Sequence, residues 1–366
     1  MSDYPHHEAS TVVAHLHSRG ISDLPSSSTV KEVSDGNLNR VFLVQDPARG
    51  TGVAVKQALP WIRVQQDWPL GPERAALEVA AYRHLAEHNP DLVPAVHDYD
   101  PATYTIVMDD LSALRVLRGE TVAGRRHPEV AAQVGRFCGR LAAGTGPLGL
   151  DLAARSRLAV TVQNPELCQM TLDVVLTEPY LEHEHNHHDP ALDDLVAGLR
   201  ADPSLARAMA DVRHIFITHS ESLVHGDLHS GSIMVAPDGD PAAVRIFDPE
   251  FAFLGPSGFD LGVYWGNCLT AGIVGDIAVS WDAFETAYRS KVDPPAGHLS
   301  AIWTDALAFA GTEAMRRVIG YSHARELAGR PEAAAWVARS ARTMIVERAS
   351  LPDFAALTAA LGEPPW

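Results

Sequence analysis

Short β-branched runs alternate with polar turns in the first third of the chain. Residues 41–44 and 53–56 are two such runs, and the loop between them contains Pro and Gly. This pattern predicts two antiparallel strands, and 104–108 predicts another strand. Segment 73–87 repeats apolar residues at helical spacing, and 11–19 predicts a short first helix. The first part of the chain is therefore expected to be α+β.

The pattern becomes helical after residue 108. Amphipathic or Ala-rich segments at 129–143, at 192–209 and from 301 to the C-terminus predict helices. One island of short strands interrupts them at 224–253, where two apolar runs flank a Pro-Asp-Gly turn. A small sheet-containing part followed by a larger, mainly helical part predicts an α+β fold with two lobes.

The charge balance and the cysteines narrow the class of protein. The chain has 29 basic and 46 acidic residues, a formal net charge of −17. Binding to a nucleic-acid backbone needs clustered Lys and Arg, so we expect no nucleic-acid partner. The three cysteines lie far apart, as expected in a reducing compartment. No segment of the sequence approaches the roughly 18 apolar residues of a membrane helix. We therefore expect a cytoplasmic protein without a membrane partner.

Two carboxylate motifs carry the candidate chemistry. The first is His225-Gly226-Asp227-Leu228-His229, and the second is Asp248-Pro249-Glu250. Each follows a short predicted strand of one hairpin-like unit, so their carboxylates are expected to meet. Phosphoryl transfer needs this arrangement, with one carboxylate beside the attacking hydroxyl and others holding Mg²⁺ against the phosphates. A single Asp after Gly is usually only a turn former, but the two motifs together indicate a kinase.

Upstream residues complete a nucleotide site. Gly36 precedes strand 41–44, where a phosphate-covering loop belongs, and it allows close backbone approach. Lys56 ends the next strand and is similar to the kinase lysine that bridges phosphates and a helix carboxylate, here Glu78 or, as the alternative, Glu73. The run Asp109-Asp110-Leu111 follows the last strand of the first part, where its backbone is placed to bind an adenine.

The motifs resemble those of the aminoglycoside phosphotransferase-like kinases and, within them, the methylthioribose kinases of methionine salvage. The resemblance covers most of the chain and rests on motifs spread along it. They are Asp35-Gly36-Asn37-Leu38-Asn39, Lys56-Gln57-Ala58, Asp67-Trp68-Pro69-Leu70, Asn164-Pro165-Glu166-Leu167-Cys168, the two carboxylate motifs, and Arg316-Arg317. It implies a bilobal protein-kinase-like fold, with a nucleotide-binding lobe at 1–110 and a catalytic and substrate-binding lobe at 111–366.

The resemblance also implies an activity and a set of site residues. The reaction is transfer of the γ-phosphate of ATP to the 1-hydroxyl of 5-methylthioribose, by a homodimer. ATP contacts are placed on Asn39, Lys56, the Asp109-Asp110-Leu111 run and Asp248-Pro249-Glu250. The sugar is placed on Asp227, Arg316 and Arg317.

Residue chemistry refines these assignments. Neighbouring helix residues point about 100° apart, so Arg316 and Arg317 are expected to do different jobs. Ser232 stands where most relatives have a metal-binding Asn, and its shorter reach leaves more of the Mg²⁺ to Asp248 and Glu250. Trp68 is either a lid over the bound ligands or a packing anchor.

Two other functions stay open at this point. One is a related kinase for an aminoglycoside, a choline-like amine or another 5-substituted ribose; the overall acidity suits an amine, but the two arginines oppose a cation. The other is a binding module that keeps the fold without the chemistry. The run His183-Glu184-His185-Asn186-His187 matches the H-E-x-x-H zinc motif, but its polar surroundings between prolines predict an exposed loop.

Overall fold

The computed structural model describes residues 6–21, 24–33, 38–63, 65–237 and 239–366. The elements up to Asp109 form a sheet with a helix on each face. In chain order they are α1 (Val12–Arg19), β1 (Thr29–Val33), β2 (Asn39–Asp46), β3 (Thr51–Ala58), β4 (Trp61–Ile62), β5 (Gln65–Pro69), α2 (Arg74–His88), β6 (Val96–Asp100) and β7 (Thr105–Asp109). The main sheet is antiparallel, with strand order β1-β2-β3-β7-β6, and β4 pairs with β5 as a separate hairpin.

The alternation of side chains along β3 assigns each face of the sheet to one helix. Val55 packs with α1, whereas Ala54 and Ala58 pack with α2. Lys56 has the same parity as Ala54 and Ala58, so it also points to the α2 face. The sequence pattern of α2 predicted one apolar face, but the helix buries two. Ala81 and Leu85 join the core of the C-terminal part, while a second stripe faces the sheet.

The elements after Asp109 are mainly helices. They are β8 (Arg115–Val116), α3 (Leu117–Val122), α4 (Glu129–Thr145), α5 (Leu152–Thr161), α6 (Pro165–Val174), α7 (Asp193–Arg200), α8 (Pro203–Thr218), β9 (Ser222–Val224), β10 (Ile233–Val235), β11 (Arg245–Ile246), β12 (Phe253–Gly255), α9 (Phe259–Thr270), α10 (Gly275–Arg289), α11 (His298–Ile319), α12 (Pro331–Val346) and α13 (Phe354–Leu361). Their buried side chains form the largest apolar core. None of the helices that the structure describes has the length and hydropathy needed to span a membrane.

The short strands of the C-terminal part hold the two carboxylate motifs. β10 pairs with β11, as predicted, and also with β8, while β9 pairs with β12. The second pair was not predicted, because strands of three residues are too short to show a period. Asp227 follows β9 and Asp248 follows β11, which lie in different sheets and not in one hairpin as expected, but the hydrogen bond from His225 Nε2 to the Phe247 carbonyl joins the two loops.

One predicted helix is wrong. The segment 192–209 is interrupted, because Asp202 caps a new helix at Pro203 and accepts hydrogen bonds from the amides of Ser204 and Leu205. The predicted lobe boundary at residue 110 stays a prediction, as does the homodimer.

Candidate active site

Lys56 lies at the centre of a buried ionic cluster. Its Nζ is 2.8 Å from Glu78 Oε1 and 3.9 Å from Glu250 Oε2, and it also hydrogen-bonds Asp248 Oδ1. Glu78 belongs to the stripe of α2 that faces the sheet, together with Ala75, Val79 and Tyr82. The structure therefore pairs Lys56 with Glu78. The alternative, Glu73, instead receives a hydrogen bond from the Tyr104 hydroxyl.

The cluster contains three carboxylates and, with Arg74 3.6 Å from Glu250, two cations. Burial and the neighbouring carboxylates raise the pKa of Glu78 to about 8, although Lys56 opposes this rise. Burial also raises the pKa of Glu250, while Asp248 keeps a lowered pKa because Lys56 more than offsets the effect of burial. Lys56 therefore lies among three carboxylates, and one of them, Glu78, is mostly protonated at pH 7 because its pKa is raised to about 8. One oxygen from each lies within 4.8 Å of the others. This hard oxygen donor set suits Mg²⁺.

Glu250 is held in the cluster by side chains from distant parts of the chain. Asn39 Nδ2 donates to Glu250 Oε2 at 2.8 Å, and the Asn39 oxygen accepts a 2.6 Å hydrogen bond from Arg74. Arg74 Nε is 3.6 Å from the same carboxylate oxygen. Asn164 Nδ2 donates to the Glu250 carbonyl at 2.8 Å. The Asn39 side chain, which the resemblance assigned to ATP, is thus engaged in positioning Glu250.

Asp248 adopts a left-handed backbone conformation with φ of 69°. Such a conformation is unfavourable for a residue other than Gly and is held by surrounding contacts. The Asp248 amide donates to the Tyr82 hydroxyl at 2.8 Å, and His225 Nε2 donates to the adjacent Phe247 carbonyl at 2.9 Å. These contacts direct the Asp248 carboxylate at Lys56.

The loop that carries Asp227 is fixed by a buried carboxylate. The amides of His225 and Gly226 donate to the two oxygens of Asp260, at 2.6 and 3.0 Å. Gly226 has φ of 85°, and a Cβ at this position would lie 2.1 Å from the Phe251 carbonyl oxygen. Only Gly meets both requirements, so this glycine allows the two carboxylate motifs to pack together.

Asp227 faces one histidine and one arginine. His229 Nε2 lies 3.5 Å from Asp227 Oδ2, and Arg316 Nη2 lies 3.7 Å from Asp227 Oδ1. Burial, with Arg317 and Arg118, lowers the pKa of His229 to about 4, so the ring is neutral at pH 7. Its Nδ1 accepts a hydrogen bond from the Gly231 amide, which leaves the ring proton on Nε2, toward Asp227.

The Ser232 hydroxyl is engaged with the Asp227 loop and not with the carboxylates around Lys56. Its hydroxyl donates to the Asp227 carbonyl at 3.0 Å and lies 3.1 Å from His229 Nδ1. The hydroxyl therefore supports the Asp227 loop, and the candidate metal ligands among the described residues of this region are Glu78, Asp248 and Glu250.

Arg316 and Arg317 bind the same carboxylate, but their terminal nitrogens contact different residues. Arg316 and Arg317 both donate their Nε–H to Glu313, and all three side chains are buried. Although burial opposes ionisation, the two guanidinium groups lower the pKa of Glu313 to about 2. Arg316 Nη2 points to Asp227, whereas Arg317 Nη1 donates to the Ser322 hydroxyl at 3.0 Å. The two arginines thus differ in their contacts, as their 100° separation predicted.

A third arginine, Arg118, lies beside the Asp227 loop. A Cβ placed on Gly231 would be 2.5 Å from a terminal nitrogen of Arg118. Burial and the nearby guanidinium groups of Arg317 and Arg325 lower the pKa of Arg118, and Asp227 acts in the opposite direction. The acceptor side of the site therefore carries more positive than negative charge.

The predicted adenine-binding run is braced by its own side chains. Asp109 accepts a hydrogen bond from the Ala95 amide at 2.8 Å, and Asp110 accepts one from Gln45 at 2.6 Å. The Leu111 carbonyl accepts a hydrogen bond from the Leu114 amide. The carboxylates thus shape the connection between β7 and β8. The other predicted nucleotide residue, Gly36, lies outside the described residues.

Trp68 joins the β4–β5 hairpin to the C-terminal part. Its ring belongs to an apolar cluster with Leu167, Met170 and Phe251, and it stacks on His185 with ring centroids 5.7 Å apart. Since Phe251 directly follows Glu250, this packing links the hairpin to the carboxylates around Lys56.

Comparison with known proteins agrees with this geometry. Residues 29–294 match the model of the phosphotransferase enzyme family. The methylthioribose kinase of Cronobacter sakazakii is 38% identical, and the alignment covers 89% of each chain. That of a Geobacillus species is 35% identical over 88% of this chain and 86% of the relative. The chain belongs to the methylthioribose kinase family.

Solved structures support the fold assignment of this family member. A microcompartment-associated aminopropanol kinase superposes with a TM-score of 0.51 at 13% identity, covering 93% of this chain and 96% of that one. A Plasmodium vivax ethanolamine kinase gives a TM-score of 0.50 at 11% identity, covering 94% and 84%. At such low identity the likeness shows the fold alone. The predicted family and the bilobal protein-kinase-like fold are confirmed.

Sequence reasoning missed several residues that position the site of this kinase-family chain. Their shared property is burial with a polar contact to a motif residue: Arg74, Tyr82, Asp260 and Glu313. One of them carried a usable signal. Glu313 lies three and four residues before the arginine pair, the spacing at which helix side chains meet.

Proposed function

We propose that this chain transfers the γ-phosphate of ATP to the 1-hydroxyl of 5-methylthioribose, with Asp227 as the residue that orients the hydroxyl. The observation that carries the proposal is the position of Asp227 between Arg316 and the neutral His229, beside the Lys56 cluster. His225, two residues before Asp227, donates to the carbonyl of Phe247, the residue before Asp248, so the loops that carry the two carboxylates are adjacent. Membership of the methylthioribose kinase family supports the sugar as acceptor.

Each charged group has a distinct task in this reaction. Asp227 accepts a hydrogen bond from the sugar hydroxyl and takes its proton as the oxygen attacks the γ-phosphorus. The bond between the γ-phosphorus and the bridging oxygen breaks, and ADP leaves with the electron pair. Arg316 lies where charge develops on the transferred group, and a cation there lowers the barrier. Lys56 holds the phosphates of ATP while Glu78 keeps it in place.

Asp248 and Glu250 would hold Mg²⁺, which neutralises phosphate charge when bound. Asn39, Arg74 and Asn164 keep Glu250 in position for this role. The Tyr82 hydroxyl accepts a hydrogen bond from the backbone amide of Asp248 and so keeps Asp248 in position.

An amine acceptor is disfavoured by the charges around Asp227. Arg118, Arg316 and Arg317 lie on the acceptor side, and Glu313 is already paired with two of them. A cationic substrate would meet net positive charge there. The neutral hydroxyls of a ribose would instead find hydrogen-bond donors.

The test is ADP release from ATP and Mg²⁺ with a panel of 5-methylthioribose, ribose, 5-deoxyribose, choline and kanamycin. We expect turnover with 5-methylthioribose. The NMR spectrum of the product should show a phosphorus–carbon coupling to C1, which places the phosphate there. Asp227→Asn keeps the size of the side chain and removes the base, so kcat should fall by about 10²–10⁴-fold. Asp194→Asn, which changes an exposed carboxylate on α7, should leave kcat unchanged. Turnover of choline or kanamycin instead of the ribose would refute the proposed acceptor.

A further inference from the structure

A second cluster of potential metal ligands lies outside the site described above. Glu178 belongs to the 3-10 helix Glu178–Tyr180, and His183 and His185 follow in the next loop. One oxygen and two nitrogens of these side chains lie within 4.8 Å of one another. His185 Nδ1 is 3.0 Å from Glu178 Oε2, and His183 Nδ1 is 3.6 Å from the same atom. The three side chains therefore converge on one point.

The loop is held in this shape by contacts of its own backbone. Asn186 Nδ2 donates to the Glu178 carbonyl at 2.6 Å and to the Leu181 carbonyl at 2.9 Å. The His185 amide donates to His183 Nδ1 at 3.3 Å, so this nitrogen carries no proton, and an ion would replace the amide at its lone pair. Glu178 itself is 8% exposed. The three side chains are thus close together before any ion binds, and an ion would replace the proton that His185 Nδ1 donates to Glu178.

We propose that Glu178, His183 and His185 bind a divalent ion of the zinc class. Two imidazole nitrogens with one carboxylate form a three-ligand set that Zn²⁺ accepts in a tetrahedral site, with water as the fourth ligand. Mg²⁺ prefers oxygen ligands and is excluded by the two nitrogens. The H-E-x-x-H spacing pointed to His183 and His187, whereas the structure brings in Glu178, which lies before the motif, and His185 in its middle.

The site is connected to the catalytic region through the His185 ring. This ring stacks on Trp68 at 5.7 Å and meets the edge of Tyr321 at 5.6 Å. Tyr321 follows α11, the helix that carries the arginine pair. An ion on His185 Nδ1 would fix the ring between the β4–β5 hairpin and the end of α11. An ion that holds the hairpin against the end of α11 would slow any step in which these two elements move apart, so we expect it to lower kcat. This kinetic effect rests on the proposed function, but binding of the ion does not.

The first experiment is titration of the metal-free, full-length protein with Co²⁺, a spectroscopic substitute for Zn²⁺, in millimolar Mg²⁺. Co²⁺ at the carboxylates near Lys56 would have only oxygen ligands and weak bands, so it does not obscure the signal. We expect one equivalent of Co²⁺ to produce the intense visible bands of a low-coordinate site with nitrogen ligands, and Zn²⁺ to remove them. His183→Ala and His185→Ala should abolish the bands. His188→Ala is the matched control from the same loop and should retain them.

His183 is exposed, so His183→Ala tests binding without disturbing a buried group, and circular dichroism checks its fold. Absence of the bands in the wild-type protein, or equal losses in His183→Ala and His188→Ala, would overturn the proposed site and indicate adventitious binding to surface histidines. Zn²⁺ should lower wild-type kcat by about fivefold and leave His183→Ala unaffected. If Zn²⁺ binds the wild-type protein but changes kcat of the wild type and of His183→Ala equally, the proposed effect of the ion through His185 and Trp68 is overturned.

Discussion

Replacement of Glu313 by Gln tests how the arginine pair is held. The substitution preserves the size of the side chain but leaves Arg316 and Arg317 as two buried cations without their shared carboxylate. The pKa of Glu313 is lowered from 4.5 to about 2. At about 1.4 kcal/mol per pKa unit, this difference corresponds to about 3 kcal/mol. The value agrees with the roughly 3–5 kcal/mol lost when one partner of a buried ion pair is removed.

The pH dependence of this loss has a defined sign. A carboxylate with a lowered pKa in the folded state stabilises the protein above its unfolded pKa of 4.5, and this stability disappears as the pH falls toward about 2. We therefore expect Glu313→Gln to be less stable than the wild-type protein by about 3 kcal/mol at pH 7. The difference should shrink below pH 4.5. Urea unfolding followed by circular dichroism at several pH values measures it.

Glu285→Gln is the matched control, because it breaks an exposed helix pair with Arg289 at the same i,i+4 spacing. Its cost should stay below about 0.5 kcal/mol. In the kinase assay, Glu313→Gln should lower kcat/KM by about tenfold or more, because Arg316 loses the contact that aims it at Asp227. A loss of stability no larger than that of Glu285→Gln, with unchanged kcat/KM, would refute the reasoning.

Three further changes probe other parts of the molecule. Glu250→Gln should raise the Mg²⁺ concentration for half-maximal velocity by about tenfold, measured by Mg²⁺ titration at fixed ATP; full activity at limiting Mg²⁺ would contradict its role as a ligand. Gly226→Ala should lower the free energy of unfolding, measured in urea, by about 2 kcal/mol or more, because its Cβ would meet the Phe251 carbonyl. The control Gly198→Ala places its Cβ in open space and should be at least as stable as the wild type. Burial and the neighbouring Glu221 raise the pKa of Asp305 from 3.8 to about 6. The neutral carboxyl therefore contributes its full stabilisation below pH 3.8, and this stabilisation is lost as the pH rises through 6. Asp305→Asn should therefore be about 1–2 kcal/mol more stable than the wild type at pH 8 and no more stable at pH 4; equal differences at both pH values would contradict this assignment.

The sequence by itself determined the features that depend on neighbouring residues. The β-branched runs around 41–56 predicted a strand pair that the structure contains, with Val41 opposite Lys56. The Gly in His225-Gly226-Asp227 and the run Asp248-Pro249-Glu250 identified the two carboxylate centres, because their chemistry is contained within a few residues. The kinase-like pattern of a strand lysine and a helix carboxylate also offered Glu78, with Glu73 as the alternative, as the partner of Lys56.

Tertiary structure alone decided which distant side chains hold these centres. The contact between Asn39 and Glu250 joins residues 211 positions apart, and no periodicity relates such positions. Arg74 and Asp260 are polar residues whose burial follows from the packing of whole elements, so their local sequence does not mark them. The same reason explains the histidine loop, where the zinc motif named His187 but folding brings in Glu178. Spacing rules act within one helix or strand, whereas this site is assembled from the ends of several.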